Sequence, residues 1–418
     1  MKEIEGLIDI VDQFKPGDTI VLHSALAEPA ILGQQLGRLA DRLDDVTVYC
    51  LMPMGEAGYG AAGAQSGLHV YTFLPGAGLR AAVNNGSATQ EPVRLYDIAG
   101  YFANRKARVD WLFLQLSCPD ADGNCSLGLS VDYMLSLLEQ KPTIVAELNE
   151  QMPVTCGETE ISHSLIDYAL RVDYSPQTMP SGKADEIDRQ VAAHVVDLLT
   201  DRQVIQYGIG TIPELVLSQV SHLKNLSIHT GLITDAVMAA MDSGAFDNSG
   251  HPDHPGKIVA AMAGGSAEFY RYLNHNDEIL FRPTTYTHDR QVLRRIDGLV
   301  AINSVLQVDL LGTANAERAG GRTISGPGGL FDFARGASEA HKGLSILALR
   351  SVTRKGNKSC IVDMLDETAA RTVTNEHLDY VVTEYGAAFV RGKKGAQIAE
   401  ALIAIAHPDH RDRLSCAV

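Results

Sequence analysis

Gln206-Tyr207-Gly208-Ile209-Gly210-Thr211-Ile212-Pro213, then a helical segment, then Ile228-His229-Thr230-Gly231-Leu232-Ile233-Thr234-Asp235: this stretch decides the fold. Its first piece reads as a buried strand ending in a Gly-x-Gly turn. Its second piece reads as a strand end followed by a loop and a helix. A glycine turn after a strand lets backbone N–H groups approach a ligand closely, and the helix that follows favours an anion at its N-terminus. The turn lacks the third glycine and the downstream acidic residue of a dinucleotide site. Alone it marks a tight strand-to-helix connection.

The same alternation runs through the chain. Apolar strand candidates fall at Asp18–His23, Val46–Leu51, Asp110–Leu116, Thr143–Leu148, Gln203–Tyr207, Leu226–Thr230, Lys257–Ala261, Gly298–Ile302, Leu344–Leu349 and Asp379–Thr383. Helical patterns fall at Ile31–Leu43, Asp185–Leu199, Asp235–Met241, Arg290–Arg295 and Lys394–Ala406. Near-continuous Val/Ile/Leu strands fit parallel sheets covered on both faces. The expected fold class is α/β, with two open, mostly parallel domains. A chain of 418 residues suits two cores. The polar segment Ser175–Gly182, with Pro176, Pro180 and Gly182, is the expected seam between domains at 1–180 and 181–418.

Bulk properties exclude several classes. The net charge of −16 argues against a general nucleic-acid or anionic-membrane surface, though not against a local basic pocket. Met1–Ile10 is acidic and has no apolar signal core, and no apolar run approaches the roughly 20 residues that cross a bilayer. The six cysteines include no Cys-x-x-Cys pair, which fits reduced thiols and a cytoplasmic location. His251–His254 and His407–His410 both read His-Pro-Asp-His. Their spacing permits a metal, but their polar loop and chain-end settings favour none. Asp247–Lys257 as a whole reads as a polar surface loop.

Several further motifs carry chemistry. Gly326-Pro327-Gly328-Gly329 is a second glycine cluster, with Arg335 a short way beyond it. Successive amides there can form an anion-binding nest, although Pro327 has no N–H to give. Asn303 ends an apolar run, where a side-chain amide can either donate to a developing oxyanion or cap a turn. Val382-Thr383-Glu384-Tyr385-Gly386 places a carboxylate after an apolar run, beside an apolar wall, where it can act as acid or base. Arg391 and Lys393 follow, as phosphate contacts or as a solvated helix start.

Ordered blocks from about residue 112 to about residue 414 carry a family resemblance. They include Ser117–Gly128, Glu147–Pro153, Gly265–Tyr270, Val300–Asp309, Thr383–Gly386 and Ala406–Arg411. In order and spacing they resemble the acetyl-CoA hydrolase/transferase family, the class I CoA-transferases that include 4-hydroxybutyrate CoA-transferase. The resemblance implies a soluble homodimer with its acyl site where the two domains meet. It implies a coenzyme A thioester as substrate rather than a tightly bound cofactor, and a small carboxylic acid as its partner. Asn303 would polarise the thioester oxygen, Gly328 and Gly329 would line the oxyanion hole, and Glu384 would lie near the thioester. Gly208, Gly210, Arg335, Arg391 and Lys393 would serve CoA or acyl binding.

The resemblance also implies a nucleophilic glutamate where this chain has Gly231, and an arginine where it has Cys360. Glycine cannot form the covalent glutamyl thioester of ping-pong transfer. Three expectations follow. An acceptor carboxylate attacks the thioester directly, in the space left at Gly231. Alternatively, Glu384 activates water and the protein is an acyl-CoA hydrolase. The last is an acyl-CoA-binding homologue without turnover.

Overall fold

The computed structural model describes residues 1–63, 66–104, 107–180, 182–356 and 358–417. Two compact units emerge. One comprises Met1–Pro180, Ala260–Tyr286 and Thr323–Gly328; the other comprises Ser181–Val259, Thr287–Arg322 and Gly329–Val418. A single cut near residue 180 therefore leaves out two later segments that belong to the first unit. Backbone hydrogen bonds hold them there: Val131 N–H donates to Ala261 O (3.0 Å) and Thr284 N–H to Asp132 O (2.7 Å). Thr323 N–H donates to Asn84 Oδ1 (2.9 Å). Ser181, within the expected seam, lies outside the described residues.

The first unit is built on eight strands: β1 (Lys2–Glu3), β2 (Thr19–Leu22), β3 (Val46–Cys50), β4 (Leu68–Thr72), β5 (Thr89–Gln90), β6 (Trp111–Ser117), β7 (Thr143–Asn149) and β8 (Tyr168–Val172). They run in the order β1-β8-β7-β6-β2-β3-β4-β5, all parallel. Every residue of the central strands β2 and β6 is buried, as expected of parallel strands covered on both faces. Helix α1 (Ala30–Arg38) covers the sheet through Leu32 and Leu36. It stops short of the Ile31–Leu43 expectation, because the chain tightens into a 3₁₀ turn at Ala40–Arg42.

The second unit has its own sheet of β9 (Val204–Tyr207), β10 (Ser227–Ile228), β11 (Leu299–Ser304), β12 (Leu344–Ala348), β13 (Tyr380–Thr383) and β14 (Gly386–Phe389). Its order is β10-β9-β11-β12-β13-β14, with every pair parallel except the terminal β13–β14 hairpin. Helix α2 (Glu186–Val196) starts in a capping box between Asp185 and Asp188, worth about 1 kcal/mol, and Arg350 clamps both carboxylates. Helix α3 (Thr211–Gln219) follows the Gly-x-Gly turn and α4 (Ala236–Asp242) follows Asp235. Helix α5 (Leu330–Glu339) packs Phe333 and Ala337 against Val204, Leu299 and Ala301 of β9 and β11. Helix α6 (Ala396–Ala404) buries Ile398, Ala399 and Leu402 in the neighbouring cluster.

Two expectations need revision here. Strand β10 is shorter than Leu226–Thr230, because the chain leaves β9 after a last bond from His229 N–H to Ile205 O (3.1 Å), and Thr230 N–H donates to Val259 O (2.9 Å). Asp247–Lys257 is not wholly a surface loop. Asn248 is buried and accepts from Ile228 N–H (3.0 Å), and His251 is 1% exposed.

Candidate active site at the carboxyl edge of the second sheet

Because β10, β9, β11, β12 and β13 are parallel, their carboxyl ends lie along one edge. Gly231, Gly208, Asn303, Ser351 and Glu384 therefore stand in a row at or just beyond that edge. In open α/β sheets this is the edge outside which ligands bind.

Asn303 sits near the end of β11 and is 5% exposed. Its side-chain amide pairs reciprocally with that of Gln206 on β9, Nδ2 donating to Gln206 Oε1 (2.8 Å) and Oδ1 accepting from Gln206 Nε2 (3.3 Å). The pair fixes which way the amide faces and leaves one Nδ2 hydrogen uncommitted. Gly208 is required by this arrangement, since a Cβ there would fall 2.5 Å from Asn303 Oδ1. Gly210 is required by its backbone, with φ +143° ahead of α3.

Position 231 is not an open void. A methyl group on Gly231 would fall 2.9 Å from Nε2 and 3.0 Å from Cε1 of His288. One on Gly329, the residue capping α5, would fall 2.3 Å from the same Nε2. The His288 imidazole thus lies against both glycines, with Phe333 beside it at 4.6 Å between ring centroids. It is 2% exposed, and burial, then the neighbouring His229, push it down to about 3, so it is neutral at physiological pH.

A buried chain of histidines supports this ring. His251 Nδ1 accepts from the N–H groups of Asp253 (3.3 Å) and His254 (3.0 Å), which leaves its proton on Nε2. That Nε2–H donates to His229 Nδ1 (2.9 Å), and His229 Nε2–H donates to Thr287 O (2.9 Å). Thr287 Oγ1 in turn bonds His288 Nδ1 (2.8 Å). Sequence reading missed His288 altogether: it lies outside any strand or helix, and no spacing marks it. His251 was visible in a His-Pro-Asp-His run but was read as a loop residue. Among the described residues no group of three or more His, Cys, Asp or Glu side chains is placed to hold a metal ion.

Glu384 lies at the other end of the edge. Its carboxylate meets not an apolar wall but Ser351, accepting from Ser351 N–H (2.9 Å) and Ser351 Oγ (2.6 Å). Cys360 N–H donates to Ser351 O (2.8 Å). Burial, then the charge of Glu384, push the Cys360 thiol up to about 11, so a neutral thiol stands where the resemblance implies a cation. Four strand steps separate Glu384 from Gly231, ~19 Å at ~4.8 Å per step. Asn303 stands two steps from each.

The remaining candidates have partners of their own. Arg391 is held by the buried Asp379, with Nη2 donating to Oδ2 (2.7 Å), so its guanidinium is committed within the fold. Arg335 pairs with Glu339 one turn along α5 (3.2 Å). Lys393 is half-buried just before α6 and makes no ion pair among the described residues. Gly328 adopts φ +52°, and its carbonyl accepts from Leu95 N–H (2.9 Å). Asp235 stands at the N-cap position of α4, where its side chain makes no capping hydrogen bond.

Comparison with known proteins points to one family. The Acetyl-CoA hydrolase/transferase N-terminal domain matches residues 2–178, and the corresponding C-terminal domain matches residues 265–418. The 4-hydroxybutyrate coenzyme A transferase of Clostridium kluyveri is 34% identical, covering 97% of this chain and 94% of that protein. The butyryl-CoA:acetate CoA-transferase of Anaerostipes caccae is 30% identical, covering 99% and 95%. The crystal structure of 4-hydroxybutyrate CoA-transferase from Porphyromonas gingivalis superposes with a TM-score of 0.85 at 32% identity, covering 99% of this chain and 96% of that one.

Proposed function

The chain belongs to the acetyl-CoA hydrolase/transferase family, and from that premise we propose that it is an acyl-CoA:carboxylate CoA-transferase whose acceptor acid attacks the thioester directly. One observation carries the reading. Gly231 has no side chain where the resemblance implies the nucleophile, and Glu384 is ~19 Å away by strand count and bound to Ser351.

The chemistry balances without an enzyme nucleophile. A carboxylate oxygen of the acceptor attacks the thioester carbonyl carbon. The C–S bond breaks, and its electron pair leaves on CoA thiolate, giving a mixed anhydride. The thiolate then attacks the acceptor's carbonyl carbon in the anhydride. The C–O bond breaks, and the donor acid leaves as its carboxylate. No proton is gained or lost. Asn303 has the orientation and the uncommitted N–H to stabilise the oxyanion that forms first.

The test is kinetic and chemical. Direct attack gives intersecting initial-rate lines for acyl-CoA and acid, with no protein-bound thioester trapped by borohydride or hydroxylamine. Parallel lines with a trapped glutamyl adduct would overturn it in favour of covalent transfer. Steady release of free CoA without an acid would make the protein a hydrolase. Tight binding without turnover would make it an acyl-CoA-binding protein.

A further inference from the structure

We propose that Glu28 and Glu147 form a buried acid pair in the first unit, with a proton held on Glu28 at neutral pH, and that loss of this proton makes the unit pH-sensitive. The pair lies in the other unit from the candidate active site, and its titration does not depend on the direct-transfer reading.

Both carboxyl groups pack against the start of α1, but they are held differently. Glu147, on β7, is fully buried. It accepts from Leu32 N–H (2.6 Å) in the first turn of α1 and from the Tyr174 hydroxyl. That hydroxyl is fixed in turn, accepting from Ala30 N–H (3.1 Å) and from Gln115 Nε2 (2.7 Å). Gln115 Nε2 also donates to Glu28 O (3.0 Å), which ties the two glutamates into one network. Glu28 itself is 6% exposed, and its Oε1 accepts from the Tyr59 hydroxyl (2.9 Å). A Cβ on Gly33 would fall 3.3 Å from that same oxygen. Leu32 thus meets one carboxyl and Gly33 the other, so the two lie against consecutive residues of α1. Glu28 Oε2 is buried and has no hydrogen-bond partner.

This asymmetry decides where the proton resides. A buried carboxylate stays ionised only with a cation or several donors beside it. Neither glutamate forms an ion pair among the described residues. Glu147 has two donors and the positive end of a helix. Glu28 has one donor and an oxygen with none. The other titratable groups that face Glu28 are Tyr59 on the short helix Gly58–Ala62, Cys50 at the end of β3 and Tyr174 beyond β8. Burial raises all three, so each is neutral at physiological pH and none supplies a positive charge. Burial pushes the Glu28 carboxyl up to about 8 against the pull of the Tyr59 hydroxyl, and the Glu147 charge adds to burial. Burial likewise pushes Glu147 up to about 7 against the pull of Tyr174 and Leu32. Both lie above the ordinary glutamate value of 4.5, so the folded chain holds protons that the unfolded chain releases. Their stabilising effect is complete below the ordinary value and is lost as pH rises through about 8.

A built-in probe makes this measurable. Trp111, the only tryptophan of the chain, lies on β6 in the same core as Leu32 and Tyr59, so its fluorescence reports unfolding of this unit. Denaturant unfolding of the full chain is followed across pH in wild type, Glu28→Gln and Glu147→Gln. Glutamine keeps the shape of the side chain and removes its titration. The unfolding constant of wild type, relative to Glu28→Gln, should rise about tenfold per pH unit between about pH 5 and about pH 8, the linkage of one released proton. Relative to Glu147→Gln it should rise as steeply up to about pH 7. The second variant keeps the test decisive if Glu28→Gln does not fold. A ratio that stays constant with pH in either folded variant would reduce that glutamate to a packing role and overturn the pair, as would a ratio that falls.

Discussion

The two ends of the second sheet's carboxyl edge solve opposite problems. At the β10 end a side chain is missing, and a neighbouring imidazole moves against the gap. At the β13 end a carboxylate is present, but a serine holds both of its oxygens. One end has neither a nucleophile nor open room, the other a carboxylate with no freedom. Asn303 stands midway, with its amide oriented by Gln206. What the contrast teaches is that carrying a residue type at a family position does not confer its role. The partners around it decide whether it can react.

The sharpest way to break this contrast is at its centre. Asn303→Ala should lower kcat for CoA transfer by about 10²–10³, the usual loss of one oxyanion donor, with a smaller change in KM. If kcat holds, the oxyanion lies elsewhere along the edge. A second experiment asks whether the missing side chain can simply be restored. Gly231→Glu should destabilise the protein by about 1–3 kcal/mol in denaturant unfolding, because the new side chain is forced onto His288. It should also form no borohydride-sensitive adduct unless His288 is shortened in the same protein.

At the other end, Arg391→Ala should cost about 1–3 kcal/mol by leaving the buried Asp379 carboxylate without its cation. Burial holds the Asp379 carboxyl above its ordinary value against the pull of Arg391, and losing the arginine raises it further. A raised carboxyl binds its proton more tightly folded than unfolded, so stability is lost as pH rises. The variant's deficit should thus be smallest near about pH 4 and grow toward neutrality. A pH-independent deficit would mean that Arg391 acts through packing. Ser351→Ala should have the smallest effect, about 1 kcal/mol, since the Ser351 N–H continues to hold Glu384.

Much of this was legible in the residues. The runs Gln203–Tyr207 and Gly298–Ile302 announced parallel strands because covered strands must be apolar on both faces. Asn303 and Glu384 could be placed at strand ends because each follows such a run. Gly208 and Gly210 were marked as a turn, though not for their separate reasons, a close approach to Asn303 and a positive φ. His288 could not be read, because nothing local distinguishes a histidine that packs against glycines at 231 and 329. His251 was misjudged because the polarity of Asp247–Lys257 hides the two residues that turn inward.

By itself the sequence determined the α/β class, the carboxyl-edge placement of the candidate residues and the absence of a carboxylate at position 231. These follow from chain-local causes: apolar periodicity, the conformational freedom of glycine and the identity of each residue. Only the tertiary structure decided that His288 fills the notch, that Ser351 binds Glu384 and that Asp379 engages Arg391. Those facts depend on which side chains distant in sequence are packed against one another. Burial and hydrogen bonding then set whether each group is neutral, held or able to react.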